Sequence, residues 1–453
     1  MIDVSLIEKQ TLPAKSPVCE ALLEKIGKKQ ARVGVIGMGY VGTPLALAFC
    51  AQGFKVIGFD VDSTRVHRIM SGESCIKTIP DSAIRAARDA GTLDATSSAA
   101  RLGEADCIVI CVPTPLTTEK TPDLTFVENA SRDILATLRP GQLVVLESTT
   151  YPGTTVEIVK PILESKGLKS GVDFFLAYSP EREDPGVGGH TITQIPKVVG
   201  GCDGDSLSLA KALYGHVAKE VVVVLSTQVA EATKMLENIY RAVNIALVNE
   251  LKMLFDVMGI DVWEVIKASS TKPFGYHAFY PGPGWGGHCI PIDPFYLSWK
   301  AKRYNFSTRF IELAGEINTR MTEYVINKTV AALNNEGKAV KDSKILILGV
   351  AYKADVDDMR ESPAIPIYQE LVNRGAIVTY HDPHVPAFDY HHGDVIVSGV
   401  SEAWSAELLS QADCVLVLTA HKFYDPQFIV ANAKLVIDTR RLVVQNIATV
   451  VRA

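Results

Sequence analysis

The sequence predicts an α/β protein with two Rossmann-like, doubly wound domains joined by a long central helix. Short, nearly unbroken apolar segments alternate with segments of helical spacing, which is typical of parallel sheets covered on both faces. This alternation occurs twice, near the beginning and near the end of the 453-residue chain. Between the two copies, the segment 226–258 contains neither Pro nor Gly, which favours one continuous helix.

The first domain starts after a polar leader and an amphipathic helix from Cys19 to Lys28. Arg32–Gly37 has the apolar character of a buried strand, and helical spacing follows from Val41 to Ala51. Further strands are expected at Lys55–Asp60, Asp106–Val112 and Gln142–Glu147.

The last part of the chain repeats this style. Ser343–Gly349 is similar to the first strand, Val378–Asp382 to Val56–Asp60, and Ala412–Leu418 to Ala105–Cys111. This second domain has no Gly-x-Gly-x-x-Gly motif, so we expect it not to hold a dinucleotide. We expect three parts, namely a first Rossmann-like domain (1–225), a central helical domain (226–330) and a C-terminal Rossmann-like domain (331–453).

Composition narrows the class of protein further. Hydrophobic residues make up 47% and charged residues 21% of the chain, the net charge is −6, and there is no long basic run, so no nucleic-acid partner is expected. The N-terminus lacks a continuous apolar segment and no window has the apolar length of a membrane span, which predicts a cytoplasmic protein without a membrane partner. The eight cysteines include no Cys-x-x-Cys pair, so no metal is expected.

The segment Gly37-Met-Gly-Tyr-Val-Gly42 indicates a dinucleotide site, because it follows an expected strand and opens an expected helix. The residues assigned to this turn are Gly37, Met38, Gly39, Tyr40, Val41 and Gly42. Asp60 ends the next strand about 20 residues on, where a carboxylate accepts hydrogen bonds from a ribose diol and favours NAD over NADP. Arg65 is close enough in the sequence to leave that preference open. Thr114 follows a strand end, where ligands of such sheets bind.

A second motif indicates covalent chemistry. In Pro281-Gly-Pro-Gly-Trp-Gly-Gly-His-Cys289, four glycines precede a thiol, and Asp293 follows four residues later. Glycine allows close approach of another molecule, so this thiol is expected to be reachable, whereas the other cysteines lie in apolar contexts.

Three polar clusters accompany this loop. Ser148–Gly153 follows a strand end, and Tyr178–Asp184 places three carboxylates after an apolar segment. On the long helix, one face carries Glu231, Lys234, Asn238 and Arg241 at 3-4-3 spacing. Each cluster has a bland interpretation as solvated surface, but the helix is otherwise apolar, which favours a cavity-lining role for its polar face.

Taken as a set, these motifs resemble the UDP-glucose/GDP-mannose dehydrogenase family over roughly residues 30–440. The matching positions are Gly37 to Gly42, Asp60, Thr114, Glu147-Ser-Thr149, Ser179-Pro-Glu181, Glu231-Ala-Thr-Lys234, Asn238, Gly286-Gly-His-Cys289, Asp293, Lys353 and Arg360. The resemblance implies NAD-dependent oxidation of a nucleotide-sugar 6-hydroxymethyl to a carboxylate. It also implies that residues 1–225 bind NAD, that 226–330 form the dimerisation domain with the catalytic cysteine loop, and that 331–453 bind the UDP-sugar. The segment around Cys289 resembles that of enzymes acting on N-acetylated UDP-hexosamines. The segments Glu147–Gly153, Thr271–Gly275 and Ser179–Pro185 look closest to the enzymes that act on UDP-N-acetylglucosamine.

The residues fit such a reaction, because an aldehyde must be held between two hydride removals and a thiolate can hold it. Cys289 is the expected nucleophile. Lys234, beside Asn238, is expected to stabilise an oxyanion or to bind the hydrolytic water. Asp293 and Thr149 are expected to hold that water, and Glu181 to assist proton transfer. The expected substrate contacts are Glu181, Arg182, Glu183, Lys234, Asn238, Arg241, Gly286, Lys353 and Arg440, while Arg65, Thr149 and Arg360 are further expected cofactor contacts.

Several alternatives stay open at the level of sequence. UDP-N-acetylmannosamine or UDP-N-acetylgalactosamine can replace the gluco epimer, because one hydroxyl's orientation is set by few side chains. An inactive nucleotide-sugar binding protein and a simple two-electron dehydrogenase are the remaining candidates, which the joint presence of Cys289, Lys234 and Asp293 argues against. The apolar stripe Val243, Leu247, Leu251 and Leu254 predicts a homodimer or higher homo-oligomer.

Overall fold

The structure is a computed structural model that describes residues 15–117, 120–183, 192–287, 290–392, 395–445 and 447–453. The chain divides into two compact units between Leu236 and Glu237. This division falls inside a helix that runs from Thr227 to Met258.

The first unit is built on an eight-stranded sheet. Its strands are β1 (Arg32–Ile36), β2 (Lys55–Phe59), β3 (Leu93–Thr96), β4 (Cys107–Ile110), β5 (Leu143–Leu146), β6 (Phe175–Tyr178), β7 (Lys197–Gly201) and β8 (Val221–Val224). They lie in the order β3-β2-β1-β4-β5-β6-β7-β8, and every neighbouring pair is parallel except the antiparallel pair β6 and β7. Strands β4 and β5 are buried at every position, because helices cover both faces of the sheet.

The connections between these strands are mostly helical. The helices are α1 (Pro17–Gly27), α2 (Gly42–Ala51), α3 (Ser63–Met70), α4 (Asp81–Asp89), α5 (Thr125–Thr137), α6 (Lys160–Glu164) and α7 (Gly204–Tyr214), with a 3₁₀ turn at Ala99–Glu104 and a π-helical turn at Thr155–Val159. The long helix α8 (Thr227–Met258) follows β8. Helix α1 starts at a Ser16 cap whose side chain accepts from the Cys19 N–H, as N-caps commonly do.

The second unit contains the rest of α8, further helices and a second parallel sheet. The helices are α9 (Val262–Ser269), α10 (Asp293–Lys302), α11 (Arg309–Asn335), α12 (Ala364–Asn373), α13 (Ala406–Gln411) and α14 (Pro426–Asn432). The strands are β9 (Lys344–Leu348), β10 (Ile377–His381), β11 (Ala387–His392), β12 (Val395–Val400), β13 (Cys414–Val417), β14 (Val436–Asp438) and β15 (Val450–Arg452). The order β10-β9-β13-β14-β15 is parallel throughout, and β11 and β12 form a separate antiparallel pair.

The predicted fold class is confirmed, and the predicted central helix matches α8 to within one residue. The predicted strands run one or two residues too long, mainly at polar ends such as Asp60, Asp106 and Asp382. The carboxylate of Asp106, for example, accepts from the Arg32 N–H at 3.0 Å. The Asp106 side chain thus bonds the first residue of the neighbouring strand β1.

Within the part of the chain that the structure describes, no helix combines the length and apolar composition that a membrane crossing requires.

Candidate active site

The three glycines of the first βα turn have different surroundings. Gly37 has φ +92°, and a Cβ there would lie 2.6 Å from the Cys111 carbonyl oxygen. A Cβ on Gly42 would lie 2.0 Å from the Gly37 carbonyl oxygen. A Cβ on Gly39 would meet nothing within 4 Å. Packing thus requires the outer two glycines, while the middle one leaves open space where a pyrophosphate can approach the backbone.

The Asp60 carboxylate lies beside this turn. Its Oδ2 accepts from the Met38 N–H at 2.8 Å and from Arg65 Nη1 at 2.8 Å, and its Oδ1 accepts from the Asp62 N–H at 3.0 Å. The side chain is only 4% exposed, against 34% for Arg65. Arg65, which the sequence placed only nearby, is therefore a direct partner of the expected ribose-binding carboxylate.

Thr114 and Thr149 come together at the carboxyl ends of β4 and β5. The Thr114 hydroxyl donates to the Thr149 carbonyl at 2.7 Å, and the Ser148 hydroxyl donates to the Val112 carbonyl at 2.7 Å. Both threonines are half-buried. The two loops that follow these strands are thereby tied together, as expected for a ligand-binding edge of a parallel sheet.

Lys234 and Glu181 also come together in the first unit. Lys234 Nζ donates to the Glu181 carbonyl at 2.5 Å and lies 3.6 Å from Glu181 Oε2. The Lys234 side chain is 5% exposed, so its ammonium group is held in a low-dielectric position. Next along the loop, Arg182 donates to the Pro196 carbonyl at 2.7 Å, and burial raises the pKa of the Glu183 carboxyl.

Glu231, which shares the predicted polar face with Lys234, has a structural partner set. Its carboxylate accepts from the Gly153 N–H at 2.5 Å, from the Thr155 N–H at 2.9 Å and from the Thr155 hydroxyl at 2.7 Å. Burial raises the pKa of the Glu231 carboxyl to about 7, although these hydrogen bonds act in the opposite direction and lower it. Glu231 thus holds the loop that follows Thr149, so the interpretation of this helix face as solvated surface is wrong for this residue.

In the second unit, Asn238 contacts Asp293 and Arg241 contacts Asn238. Asn238 Nδ2 donates to Asp293 Oδ2 at 2.5 Å, and Arg241 donates to the Asn238 side-chain oxygen. Asn238 and Asp293 are buried, whereas Arg241 is exposed. The sequence did not predict this contact, which holds a carboxylate at the first turn of α10, where the helix dipole favours negative charge.

The glycine-rich loop packs against the region that follows β9. A Cβ on Gly286 would lie 2.7 Å from Tyr352 Cβ, and one on Gly287 would lie 2.8 Å from the Tyr352 ring. The Gly287 N–H donates to the Arg360 carbonyl at 2.9 Å. Side chains at these two positions would collide with Tyr352, so close packing explains the glycines here. Cys289, the expected nucleophile, lies outside the described residues, as does His288.

Arg440 lies over the start of the same loop. A Cβ on Gly282 would lie 2.2 Å from Arg440 Nη1, and Arg440 Nε donates to the Leu418 carbonyl at 2.9 Å. Burial lowers the pKa of Arg440 to about 10. Among the described residues, no carboxylate forms an ion pair with this guanidinium. A partly desolvated cation in this state favours an anionic ligand.

Lys353 and Arg360 are both exposed. The Arg360 guanidinium is bound to Asp358 of its own loop, with Nε–Oδ1 at 2.9 Å and Nη2–Oδ2 at 2.6 Å. Within this unit, the Arg360 side chain thus contacts the loop carboxylate, and it is the Arg360 carbonyl that contacts the glycine-rich loop.

Sequence reasoning missed a buried ion pair below the Thr149 loop. Lys197 Nζ lies 2.9 Å from Glu147 Oε2, the Tyr214 hydroxyl donates to Glu147, and the two charged side chains are only 5% and 1% exposed. Glu147 belonged to the matching motif without a role, and the sequence around Lys197 contains no pattern that pairs it with Glu147.

In the C-terminal sheet, Asp382 occupies the strand-end position that Asp60 occupies in the first. Its carboxylate accepts from the backbone N–H groups of Val350, His384 and Val385 at 2.8–3.1 Å and lies 3.1 Å from His421 Nε2. The side chain is fully buried. The Asp382 carboxylate thus joins the loop after β9 to the loop after β10 and to His421.

One cluster of potential metal ligands occurs in the described residues, formed by Asp355, His384 and His421. The His421 ring accepts from the Asp355 N–H at 2.9 Å through Nδ1 and contacts Asp382 through Nε2. Lys422 Nζ lies 3.4 Å from Asp355. An imidazole bonded at both nitrogens and a neighbouring ammonium group do not fit a metal centre.

A parallel sheet with this glycine turn, an open approach at Gly39 and a strand-end carboxylate defines a dinucleotide-binding protein of the dehydrogenase class. Comparison with known proteins specifies the family. The chain matches three domains of the UDP-glucose/GDP-mannose dehydrogenase family: the NAD binding domain over residues 31–218, the central domain over 228–320 and the UDP binding domain over 346–445. The chain belongs to this family, and its cofactor is NAD.

Individual relatives are similar over most of their length. A UDP-N-acetyl-D-mannosamine dehydrogenase of Methanococcus maripaludis is 34% identical over 440 residues, covering 94% of this chain and 96% of the relative. A UDP-N-acetyl-D-glucosamine 6-dehydrogenase of Pseudomonas aeruginosa is 36% identical over 366 residues, covering 80% and 85%. The solved structure of a UDP-D-ManNAc dehydrogenase from Pyrococcus horikoshii has a TM-score of 0.84 at 31% identity, covering 93% and 98%.

The geometry around Asp60 predicts a change in cofactor preference. Asp60→Ala should narrow the preference for NAD over NADP by at least about tenfold. It removes the negative charge that would face the 2′-phosphate of NADP, and two like charges in such contact cost several kcal/mol. It also releases Arg65 to bind that phosphate. The measurement is kcat/KM with each cofactor. Asp62→Ala is the matched control, since Asp62 also lies near Arg65, at 3.9 Å. Equal use of both cofactors by the unmodified enzyme would contradict this role of Asp60.

Proposed function

We propose that this chain oxidises UDP-N-acetylglucosamine at its 6-hydroxymethyl group to UDP-N-acetylglucosaminuronic acid, a precursor for surface polysaccharide. Relatives that act on UDP-N-acetylhexosamines support the substrate class. The observation that carries the proposal is Arg440, a cation with no carboxylate partner among the described residues, lying on the Gly282 backbone. It suits a sugar-nucleotide diphosphate, since charge-assisted hydrogen bonds to phosphate are strong.

The reaction requires two oxidations, and NAD supplies a hydride acceptor for each. In the first, the alcohol loses a hydride and a proton and becomes an aldehyde. The Cys289 thiolate then adds to the aldehyde carbon, forming a C–S bond and a thiohemiacetal. Removal of the second hydride from that carbon gives a thioester. Water breaks the C–S bond, which releases the carboxylate and restores the thiol.

The other residues have roles that match their contacts. We assign oxyanion stabilisation to Lys234, whose ammonium group is buried and positively charged beside Glu181. We assign the hydrolytic water to Asp293 and Thr149, and proton transfer to Glu181. Asn238 donates to Asp293 and thereby orients this carboxylate. Arg182, Glu183, Arg241, Gly286 and Lys353 are the further substrate contacts of this proposal.

The substrate and the mechanism are tested by a panel of UDP-N-acetylglucosamine, UDP-N-acetylmannosamine, UDP-N-acetylgalactosamine and UDP-glucose. We expect the highest kcat/KM with UDP-N-acetylglucosamine and about two NADH per sugar, as thioester chemistry requires. Release of free aldehyde with one NADH per sugar would refute the covalent mechanism. No NADH with any sugar would identify a binding protein.

UDP-N-acetylmannosamine is the second candidate substrate. A relative named for that sugar aligns in sequence with 94% of this chain, and a solved structure named for it aligns with 93% of this chain. A higher kcat/KM for the manno epimer in the same panel would change the substrate and leave the mechanism intact.

We also propose the three-part organisation with a homodimer formed through the central part. In the single chain, Leu247 and Leu254 of α8 are 49% and 51% exposed, while Val243 and Leu251 are half-buried. Exposed apolar side chains also occur on α11, where Phe310 is 77% exposed. Within the second unit, part of the predicted stripe is therefore uncovered, and such a surface suits a second copy.

Light scattering at micromolar protein should give at least twice the 49.1 kDa chain mass. The double substitution Leu247→Glu and Leu254→Glu should shift the protein towards monomer, because it places charges in the centre of the contact. Val172→Glu is the control, since Val172 is 65% exposed on a turn of the other unit. A fully active monomer of the unmodified chain would exclude the dimer.

A further inference from the structure

Two buried asparagines connect the glycine-rich loop to the long helices of the second unit. Asn249 on α8 and Asn318 on α11 are 0% and 1% exposed. The Asn249 side-chain oxygen accepts from the Gly282 N–H at 3.0 Å, and Asn249 Nδ2 donates to Asn318 Oδ1 at 2.7 Å. Asn318 Nδ2 donates in turn to the Ala314 carbonyl at 2.8 Å. The chain of hydrogen bonds therefore runs from the α11 backbone to the loop backbone.

The direction of this chain fixes both amides. Each asparagine uses its oxygen as an acceptor and its nitrogen as a donor, so a flip of either would set two acceptors or two donors against each other. A helix can stabilise itself with backbone bonds alone, so a buried amide pair is not needed for helix formation. Buried polar groups of this kind give a specific geometry when every partner is satisfied. Here the one partner outside the helices is the Gly282 N–H.

The loop also rests on α11 through its glycines. Gly284 has φ +140°, and a Cβ there would lie 3.2 Å from the Asn318 carbonyl oxygen and 3.2 Å from Pro363. On the same side, the Trp285 and Phe295 rings form an edge contact at 6.3 Å between centroids, and a Cβ on Gly315 would lie 2.8 Å from the Phe295 ring. The loop is thus seated by shape, and the Asn249 bond adds a directional restraint at its start.

We propose that Asn249, supported by Asn318, is a positioning residue that sets the backbone of the glycine-rich loop for reaction of the thiol two residues beyond Gly287. This inference rests on the proposed function, in which Cys289 is the nucleophile. Asn249 touches neither substrate nor cofactor in this proposal. It acts through the Gly282 N–H, and its effect is on the placement of the reacting group, where a shift of about 1 Å can cost about 100-fold in rate.

The test compares Asn249→Leu and Asn318→Leu with Thr329→Val. Thr329 is a matched control, because it is fully buried on the same helix α11 and its hydroxyl donates to the Val325 carbonyl at 2.9 Å, away from the loop. Asn249→Leu removes the bond to Gly282, whereas Asn318→Leu removes only the support behind it. Three quantities are measured on the full chain: the alkylation rate of Cys289 by iodoacetamide, followed by peptide mass spectrometry, the steady-state kcat and KM, and the melting temperature.

We expect a graded result. Asn249→Leu should change the Cys289 alkylation rate and lower kcat by about 10–100-fold, with Asn318→Leu intermediate and KM for NAD within about twofold of the unmodified enzyme. Thr329→Val should leave the alkylation rate and kcat within about twofold. A fall in melting temperature with unchanged alkylation and kcat in both asparagine variants would overturn the proposal and make the pair purely structural.

If Asn249→Leu does not fold, Asn318→Leu carries the test, because it removes the hydrogen bond that orients the Asn249 amide towards Gly282 and keeps Asn249 itself. The alkylation rate reports the loop without requiring turnover. If Cys289→Ser remained active, the proposed function would fail. The alkylation rates would still show whether the asparagine substitutions change the reactivity of the Cys289 thiol.

Discussion

Cys289→Ser should abolish turnover, by about 10⁴-fold or more, and leave NAD binding nearly unchanged. Loss of an essential nucleophile has effects of this size in other covalent enzymes. A serine hydroxyl ionises far less readily than a thiol, so it cannot trap the aldehyde at neutral pH. The glycine turn at Gly37–Gly42 belongs to a different unit from position 289, so the cofactor affinity should not follow the loss of activity. The measurements are steady-state NADH formation and titration of NAD by fluorescence.

Cys202→Ser is the control for this substitution. Burial raises the pKa of the Cys202 thiol to about 12, so this sulfur stays protonated at neutral pH and should be dispensable. Turnover within about twofold of the unmodified enzyme is expected for this variant. A Cys289→Ser enzyme that still releases carboxylate would show that the thiol is not part of the reaction, and loss of NAD binding would identify it as structural.

Lys234→Met should lower kcat by about 10²–10³-fold, the usual cost of losing one oxyanion-stabilising group. The ammonium group is 5% exposed and lies 3.6 Å from Glu181 Oε2. In such surroundings its charge is only weakly screened, so its removal is felt at any developing negative charge nearby. KM for NAD should change by less than about threefold, because the variant leaves the glycine turn intact.

The same substitution also leaves Glu181 without its cation, which can destabilise the fold. Lys252→Met separates the two effects. Lys252 is a 6% exposed lysine of the same helix, 3.6 Å from Asp256, and Asp256 retains a second bond to Lys328 at 2.5 Å. The melting temperature and kcat are compared between Lys234→Met and Lys252→Met. Equal losses of kcat in the two variants would assign the effect at Lys234 to stability and contradict its catalytic role.

The sequence alone predicted the fold because the relevant information is local. Apolar runs, helical spacing and the Gly37–Gly42 turn are patterns among neighbouring residues, and each corresponds to a backbone conformation that those residues favour. The absence of Pro and Gly between Ser226 and Met258 was enough to place α8. Strand ends were less certain, because a polar residue such as Asp60 can extend a ladder or bond a turn, and only its partner decides.

The sequence also supplied candidate residue types for the proposed site, because the proposed chemistry limits them to a thiol, a lysine and nearby carboxylates. It did not supply their partners. Asp293 and Thr149 were expected to hold a water, and the structure adds a direct bond from Asn238 to Asp293. Glu231 was expected on one polar face with Lys234, and the structure adds Gly153 and Thr155 as the partners of its carboxylate. The position of a residue on a helix gives the direction of its side chain, whereas the residues that this side chain contacts come from other elements.

The sequence by itself determined the fold class and the glycine turn of the NAD binding domain, because these follow from short-range backbone preference, and it supplied the residue types on which the proposed covalent mechanism rests. Only the tertiary structure decided which distant groups meet. Arg440 lies on Gly282, Lys197 pairs with Glu147, and Asn249 joins Asn318 to the glycine-rich loop. Such contacts depend on how helices and sheets pack, which places residues together that no pattern in the chain connects, and the burial that follows gives their charges and hydrogen bonds most of their strength.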